Sequence, residues 1–170
     1  MNRSNLFGKI QTIEFNHISK SYSEVNALNN FNLKIRGGEL MVLVGPSGSG
    51  KTTALEMINR MEKIDDGEIY INQKEIRNFD PIRLRRNIGY VIQEIGLFPH
   101  LTVKDNIALI PKVERWSDGK IEQRVDELLE LVSLPPDKYK DRYPDQLSGG
   151  QQQRIGLARG LVMDPSLILM

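Results

Sequence analysis

The spacing of apolar positions changes several times along the chain, and each change predicts an element. Over residues 10–17, Ile10, Thr12, Glu14 and Asn16 alternate with Gln11, Ile13, Phe15 and His17, with frequent β-branched and aromatic residues. That is the two-residue period of a strand. A second strand is predicted over 27–35, where Leu28, Phe31, Leu33 and Ile35 are apolar, and Arg36-Gly37-Gly38-Glu39 turns the chain. Residues 40–44 (Leu-Met-Val-Leu-Val) are continuously apolar, as expected of a strand buried on both faces of a parallel sheet. After a glycine-rich loop, Ala54, Leu55, Met57, Ile58 and Met61 predict a helix over 52–61. Asp65-Asp66-Gly67 is a turn, and 68–72 a short strand.

Asp80-Pro81 predicts the start of a short helix, with proline at its first position. Residues 87–92 read as another buried strand, and 102–109 as a helix. Ile121, Val125, Leu128, Leu129 and Val132 recur at helical spacing and mark a core-facing stripe, which Pro135-Pro136 ends. A helix over 149–163 and a turn at Asp164-Pro165-Ser166 lead to a last apolar strand, 167–170. Strands alternating with helices imply an α/β fold.

Composition narrows the function classes. The 170 residues suit one domain. Lys and Arg number 23 against 22 Asp and Glu, so the chain lacks the basic excess of a protein whose main partner is a nucleic acid. There are no cysteines, which excludes disulfides and thiolate metal sites. No apolar run approaches the roughly 20 residues of a bilayer span, and the N-terminus lacks a signal-peptide core. The expectation is a soluble cytoplasmic unit. Arg83-Leu84-Arg85-Arg86 reads as a solvated helix face or as a phosphate or lipid patch. Trp116 reads as a turn anchor, and His17 and His100 as ordinary surface or packing residues.

Gly45-Pro46-Ser47-Gly48-Ser49-Gly50-Lys51-Thr52-Thr53 fits G-x-x-x-x-G-K-[ST] between a predicted strand and a predicted helix. Glycines let successive backbone N–H groups turn toward one anion, and the following helix adds the positive end of its dipole. Lys51 can reach β- and γ-phosphates, and the Thr52 hydroxyl can coordinate Mg²⁺. A second helix start lies at Leu147-Ser148-Gly149-Gly150-Gln151. Ser148 and Gln151 have capping-box spacing, and two glycines between them leave N–H groups uncovered. By itself this is either an ordinary capped helix or a second anion site.

Taken together, the phosphate loop and Leu147-Ser148-Gly149-Gly150-Gln151-Gln152-Gln153-Arg154 resemble the ATP-binding subunits of ABC transporters. The resemblance implies a P-loop (RecA-like) core with an N-terminal antiparallel β-subdomain and a helical signature subdomain. The core would take about 1–92 and 155–170, and the helical part about 93–154. Tyr22 matches the aromatic position that stacks on adenine, and Gln93 the glutamine that contacts Mg²⁺ and senses a membrane partner. Ser148, Gly149, Gly150 and Gln151 match the signature that closes on the γ-phosphate held by a second copy. Lys51 and Gln93 would serve catalysis, with ATP and Mg²⁺ as cofactors. The implied assembly is a head-to-tail homodimer at the cytoplasmic membrane face, driving transmembrane permease subunits and, indirectly, a substrate-binding protein.

Residues 89–102, Asn106-Ile107-Ala108-Leu109-Ile110-Pro111-Lys112-Val113, Trp116, Met57-Ile58-Asn59-Arg60 and Asp141-Arg142-Tyr143-Pro144 are similar to the ATP-binding subunits of bacterial importers for glycine betaine, carnitine and choline. Amino-acid importers share much of this pattern. The family's acidic pair would follow Met170, so the chain is expected to be the N-terminal piece of a longer subunit, inactive in hydrolysis alone. Asp164 is a turn residue and not that pair. The alternatives are a soluble ABC ATPase and a non-hydrolysing nucleotide-binding module.

Overall fold

In the computed structural model, which describes residues 6–23, 25–92 and 96–170, the alternating N-terminal segment forms β1 (Thr12–Tyr22). Its buried residues do not keep one parity. Ile13 and Phe15 are buried, then Ile18 and Lys20. The change occurs at His17, whose φ of 53° is left-handed, and both ladders of β1 shift register there. His17 is held by Asn32, whose Oδ1 accepts its backbone N–H at 2.9 Å, and by Asn30, 2.7 Å from its Nδ1. A bulge of this kind inverts which side chains face the core.

The chain divides into two units, Met1–Asn87 and Ile88–Met170. In the first, β1 pairs antiparallel with β2 (Val25–Arg36) and β3 (Asp66–Ile71), and β4 (Lys74–Glu75) completes the order β2-β1-β3-β4. Helix α1 (Lys51–Ile58) buries Ala54, Met57 and Ile58. Helix α2 (Pro81–Arg86) starts as predicted, with Pro81 in its first turn and Asp80 Oδ1 accepting from the Arg83 N–H at 2.8 Å. Its basic run is not a uniform solvated patch. Leu84 is fully buried, and Arg85 donates to the carbonyls of Asn59 and Arg60 behind α1.

Residues 40–44 correct the sequence reading. They form no strand, and Leu40 and Val44 are 82% and 91% exposed. An apolar run becomes a buried strand only when neighbours take up its backbone hydrogen bonds and cover both faces. Among the described residues, the sheet of this unit contains β1 to β4 alone, so composition predicted a strand for which these residues supply no ladder.

In the second unit, β5 (Ile88–Tyr90) and β6 (Leu167–Leu169) pair in parallel, Ile88 opposite Leu167 and Tyr90 opposite Leu169. Helices α3 (Val103–Val113), α4 (Asp118–Leu131), α5 (Pro136–Tyr139) and α6 (Gly149–Leu161) share a core that includes Val103, Ile107, Val125, Leu128 and Ile155. The stripe on α4 is core, as its period implied. Helix α3 outlasts its predicted end and carries Pro111 within it, and Pro136 opens α5 besides closing the preceding turn. Trp116 packs against this core with Lys120 Nζ 3.5 Å from its ring centroid. Among the described residues, no helix is long and apolar enough to cross a membrane.

Polar groups fasten the helices to each other. Asn106 is fully buried; it accepts the Phe98 N–H at 2.8 Å and donates to the carbonyls of Phe98, Leu101 and Thr102. Glu122 on α4 accepts from Lys104 of α3, and from Lys140 at 2.7 Å. Lys104 first, then Lys140, hold its carboxyl below the ordinary carboxylate range. A depressed folded pKa adds stability above the unfolded value and loses it as pH falls through the folded one. Urea midpoints should therefore fall as pH drops below the ordinary glutamate value of about 4.3, and Glu122→Gln should flatten that limb. An unchanged acid limb in the variant would exclude this contribution.

Candidate functional site

The glycine-rich loop ends against β2. Gly50 has φ of 81°, and a Cβ there would stand 2.4 Å from the Ala27 carbonyl oxygen and 2.8 Å from Leu28 Cδ2. Only a residue without a side chain fits both the left-handed backbone and this approach. The Ser49 N–H donates to the Pro46 carbonyl at 3.3 Å, and Gly48 is also left-handed, at 82°. Lys51 Nζ folds back over this curl, donating to Gly45 O at 2.9 Å, Pro46 O at 2.7 Å and Ser49 Oγ at 3.1 Å.

Gly50 is also the N-cap of α1, and no side chain caps that helix. The first intrahelical bond runs from the Ala54 N–H to Gly50 O at 2.9 Å. The preceding N–H groups of the first turn thus lack a helical acceptor. Thr52 is exposed and Thr53 half-buried. An anion above this turn would meet oriented N–H groups, the dipole end and the Lys51 ammonium together.

Tyr22 lies at the end of β1 and is 44% exposed. Its phenol faces the Glu62 carboxylate and the Thr53 hydroxyl, which brings it beside the first turn of α1. Burial, then Glu62, raise its pKa, against the opposing pull of Thr53 and Lys20. Lys20 is buried by the bulge, with Nζ 2.9 Å from Glu62 Oε1, 3.0 Å from Asp65 Oδ1 and 5.1 Å from the Tyr22 ring centroid. Asp65 Oδ2 also accepts the Ser21 N–H at 2.9 Å. Sequence reasoning missed Lys20, Glu62 and Asp65. Their separation along the chain concealed the cluster, and the strand's alternation assigned Lys20 no buried place.

The second predicted helix start has the expected cap. Ser148 N–H donates to Gln151 Oε1 at 2.9 Å, and Gln151 N–H to Ser148 Oγ at 3.3 Å. Gln151 Nε2 reaches the Tyr139 hydroxyl at 3.2 Å, and Gln152 donates to the carbonyls of Pro144 and Leu147. Gly149 and Gly150 are exposed, and a Cβ on either would meet nothing within 4 Å. Gln93 lies outside the described residues.

A curled glycine loop closed by its own lysine, and a separate Ser-Gly-Gly-Gln helix start, therefore stand in one chain. The family model described as ABC transporter matches residues 28–170. The chain belongs to the ABC transporter family. Over 159 residues it is 50% identical to a carnitine transport ATP-binding protein of Listeria monocytogenes, covering 93% of this chain and 40% of that protein. A glycine betaine/carnitine/choline transport ATP-binding protein of Bacillus subtilis is also 50% identical, with 93% and 42% covered. The ABC chain thus spans about two fifths of these relatives' length. Among solved structures, a dimeric ATP-binding cassette in a post-hydrolysis state bound to ADP and Pi superposes with a TM-score of 0.82 at 36% identity. That match covers 92% of this chain and 72% of the other.

The loop geometry predicts a specific failure. Gly50→Ala drives a methyl into the Ala27 carbonyl and strains a left-handed backbone, so the loop must move from β2. The expected cost is about 1–3 kcal/mol, seen as a lower urea midpoint, together with loss of nucleotide binding in calorimetry. Wild-type affinity in Gly50→Ala would contradict this account of the loop.

Proposed function

We propose that this chain is the nucleotide-binding part of an energy-coupling ATPase subunit, serving a membrane importer of quaternary amines such as glycine betaine, carnitine and choline. The observation that carries the nucleotide reading is the loop itself. It pairs an uncapped helix start with an ammonium held by three oxygens of the preceding curl. In this reading residues 45–53 hold the phosphates of ATP, Lys51 neutralises β- and γ-phosphate charge, and Thr52 places Mg²⁺. The metal supplies further charge neutralisation to the phosphoryl group. Tyr22, beside Thr53, stacks on the base. Gln93 joins the metal site and reports to the permease.

The helix start at Ser148 serves a second copy of the chain. Its capping box occupies Ser148 and Gln151 with each other, while Gly149 and Gly150 present backbone to open space. Packing within this chain asks for no glycine at either position, which supports the close approach of a group from outside. The γ-phosphate held by the partner copy is that group, and hydrolysis would release the closed dimer. Such a subunit works at the cytoplasmic membrane face, attached through permease subunits that receive cargo from a binding protein. The cargo assignment rests on the 50% identity to the two transport proteins.

The test uses the full-length subunit reconstituted with its permease in proteoliposomes. ATP-driven uptake of glycine betaine, carnitine or choline is expected, and Lys51→Ala should abolish it together with ATP binding. Gly150→Ala should separate the two halves of the reading. It should leave stability equal or higher by up to about 1 kcal/mol, since alanine favours a helix. ATP binding should persist while turnover and uptake fall at least tenfold. Uptake of amino acids in place of quaternary amines would overturn the cargo, and full turnover in Gly150→Ala would overturn the role of the Ser148 helix.

A further inference from the structure

The cluster beneath Tyr22 has no counterpart in the reading above. A lysine in a strand ordinarily extends its ammonium into water, because burying a charge is costly unless it is paired. Lys20 instead is 8% exposed, and two carboxylates from the segment after α1 take its ammonium, Glu62 at 2.9 Å and Asp65 at 3.0 Å. Its Nζ also lies over the Tyr22 ring, 5.1 Å from the centroid. Glu62 in turn faces the Tyr22 phenol, and so does Thr53, two residues after Lys51. One ring therefore carries a cation over one face and has Glu62 and Thr53 near its hydroxyl. The strand end, the segment after α1 and the first turn of α1 meet at that ring.

We infer that Lys20 is a positioning residue for the nucleotide base: its ammonium, anchored by Glu62 and Asp65, covers one face of the Tyr22 ring and leaves the opposite face to stack. This deepens the proposed function and rests on its assignment of Tyr22 to the base. Two physical effects follow. A ring with one face engaged by an anchored cation has less orientational freedom to lose when a base binds. A cation on one face also draws on the ring's quadrupole, so an aromatic ligand is admitted from the other side alone. The bulge at His17 is what makes this possible. Without the parity change, Ser19 and Ser21 would continue the buried row of Ile13 and Phe15, and Lys20 would face water.

The role predicts a dependence on the base and none on the phosphates. Calorimetry on the full-length protein in Mg²⁺ compares ADP, which carries a base, with pyrophosphate, which does not. Lys20→Met should weaken ADP by about three- to tenfold, the scale of one aromatic stacking contact, and leave pyrophosphate within about twofold. Lys20→Arg, which keeps a cation, should recover most of the ADP affinity. Glu62→Gln should give a smaller loss in the same direction. This pair carries the test if Lys20→Met does not fold, and retained pyrophosphate binding reports the intact loop.

Tyr22→Ala, run alongside, separates the inference from its foundation. Selective ADP loss in Tyr22→Ala with none in Lys20→Met and Glu62→Gln would overturn the positioning role and leave the stacking role intact. No selective loss in Tyr22→Ala would overturn both. Equal weakening of ADP and pyrophosphate in Lys20→Met would mean that the lysine only braces α1 and its loop, which also overturns the inference.

Discussion

Three oxygens of the glycine-rich loop converge on the Lys51 ammonium, and that convergence sets the curl from which α1 begins. The donor group thus comes from the first residue of the helix, and the acceptors from the segment before it. Loop and helix start are in this way one structure. Gly50 fastens it to β2 by an approach that no Cβ could share. With the loop anchored, the first turn of α1 needs no side-chain cap, and its N–H groups stay directed outward. A loop whose curl is made by backbone tolerates variation in side chains at Pro46 and Ser47 far better than at Gly50 or Lys51.

The same economy of means appears at the end of β1. A left-handed His17, stabilised by Asn30 and Asn32, moves the buried row from odd to even positions. The shift carries Lys20 inward, where it must find counter-charge, and the segment after α1 supplies Glu62 and Asp65. A local backbone irregularity is thereby converted into a long-range link between strand and helix. Burial makes that link specific, since a desolvated ammonium is stable only with both its oxygens in place.

The second unit relies on ordinary helix packing with polar fastenings. Asn106 satisfies the backbone of the turn before α3 from a wholly buried position, and Glu122 collects two lysines from neighbouring segments. Ser148 and Gln151 cap α6 by satisfying each other. The adjoining glycines are the exception to this thrift, because nothing in the unit fills the space where their side chains would be.

Sequence alone determined the features that depend on local chemistry. The curled glycine-rich loop, the Asp80 and Ser148 caps, the α4 stripe and the identities of most strands follow from periodicity, capping residues and glycine placement. Each is an interaction within a few residues of chain. Tertiary structure alone decided whatever depends on a distant partner. The run 40–44 has the composition of a buried strand, yet a strand exists only where another backbone completes its ladder, and its own sheet offers none. Lys20 shows the converse. Nothing in its neighbours along the chain marks it for burial. The parity change at His17 and two carboxylates more than forty residues away are what place it under Tyr22.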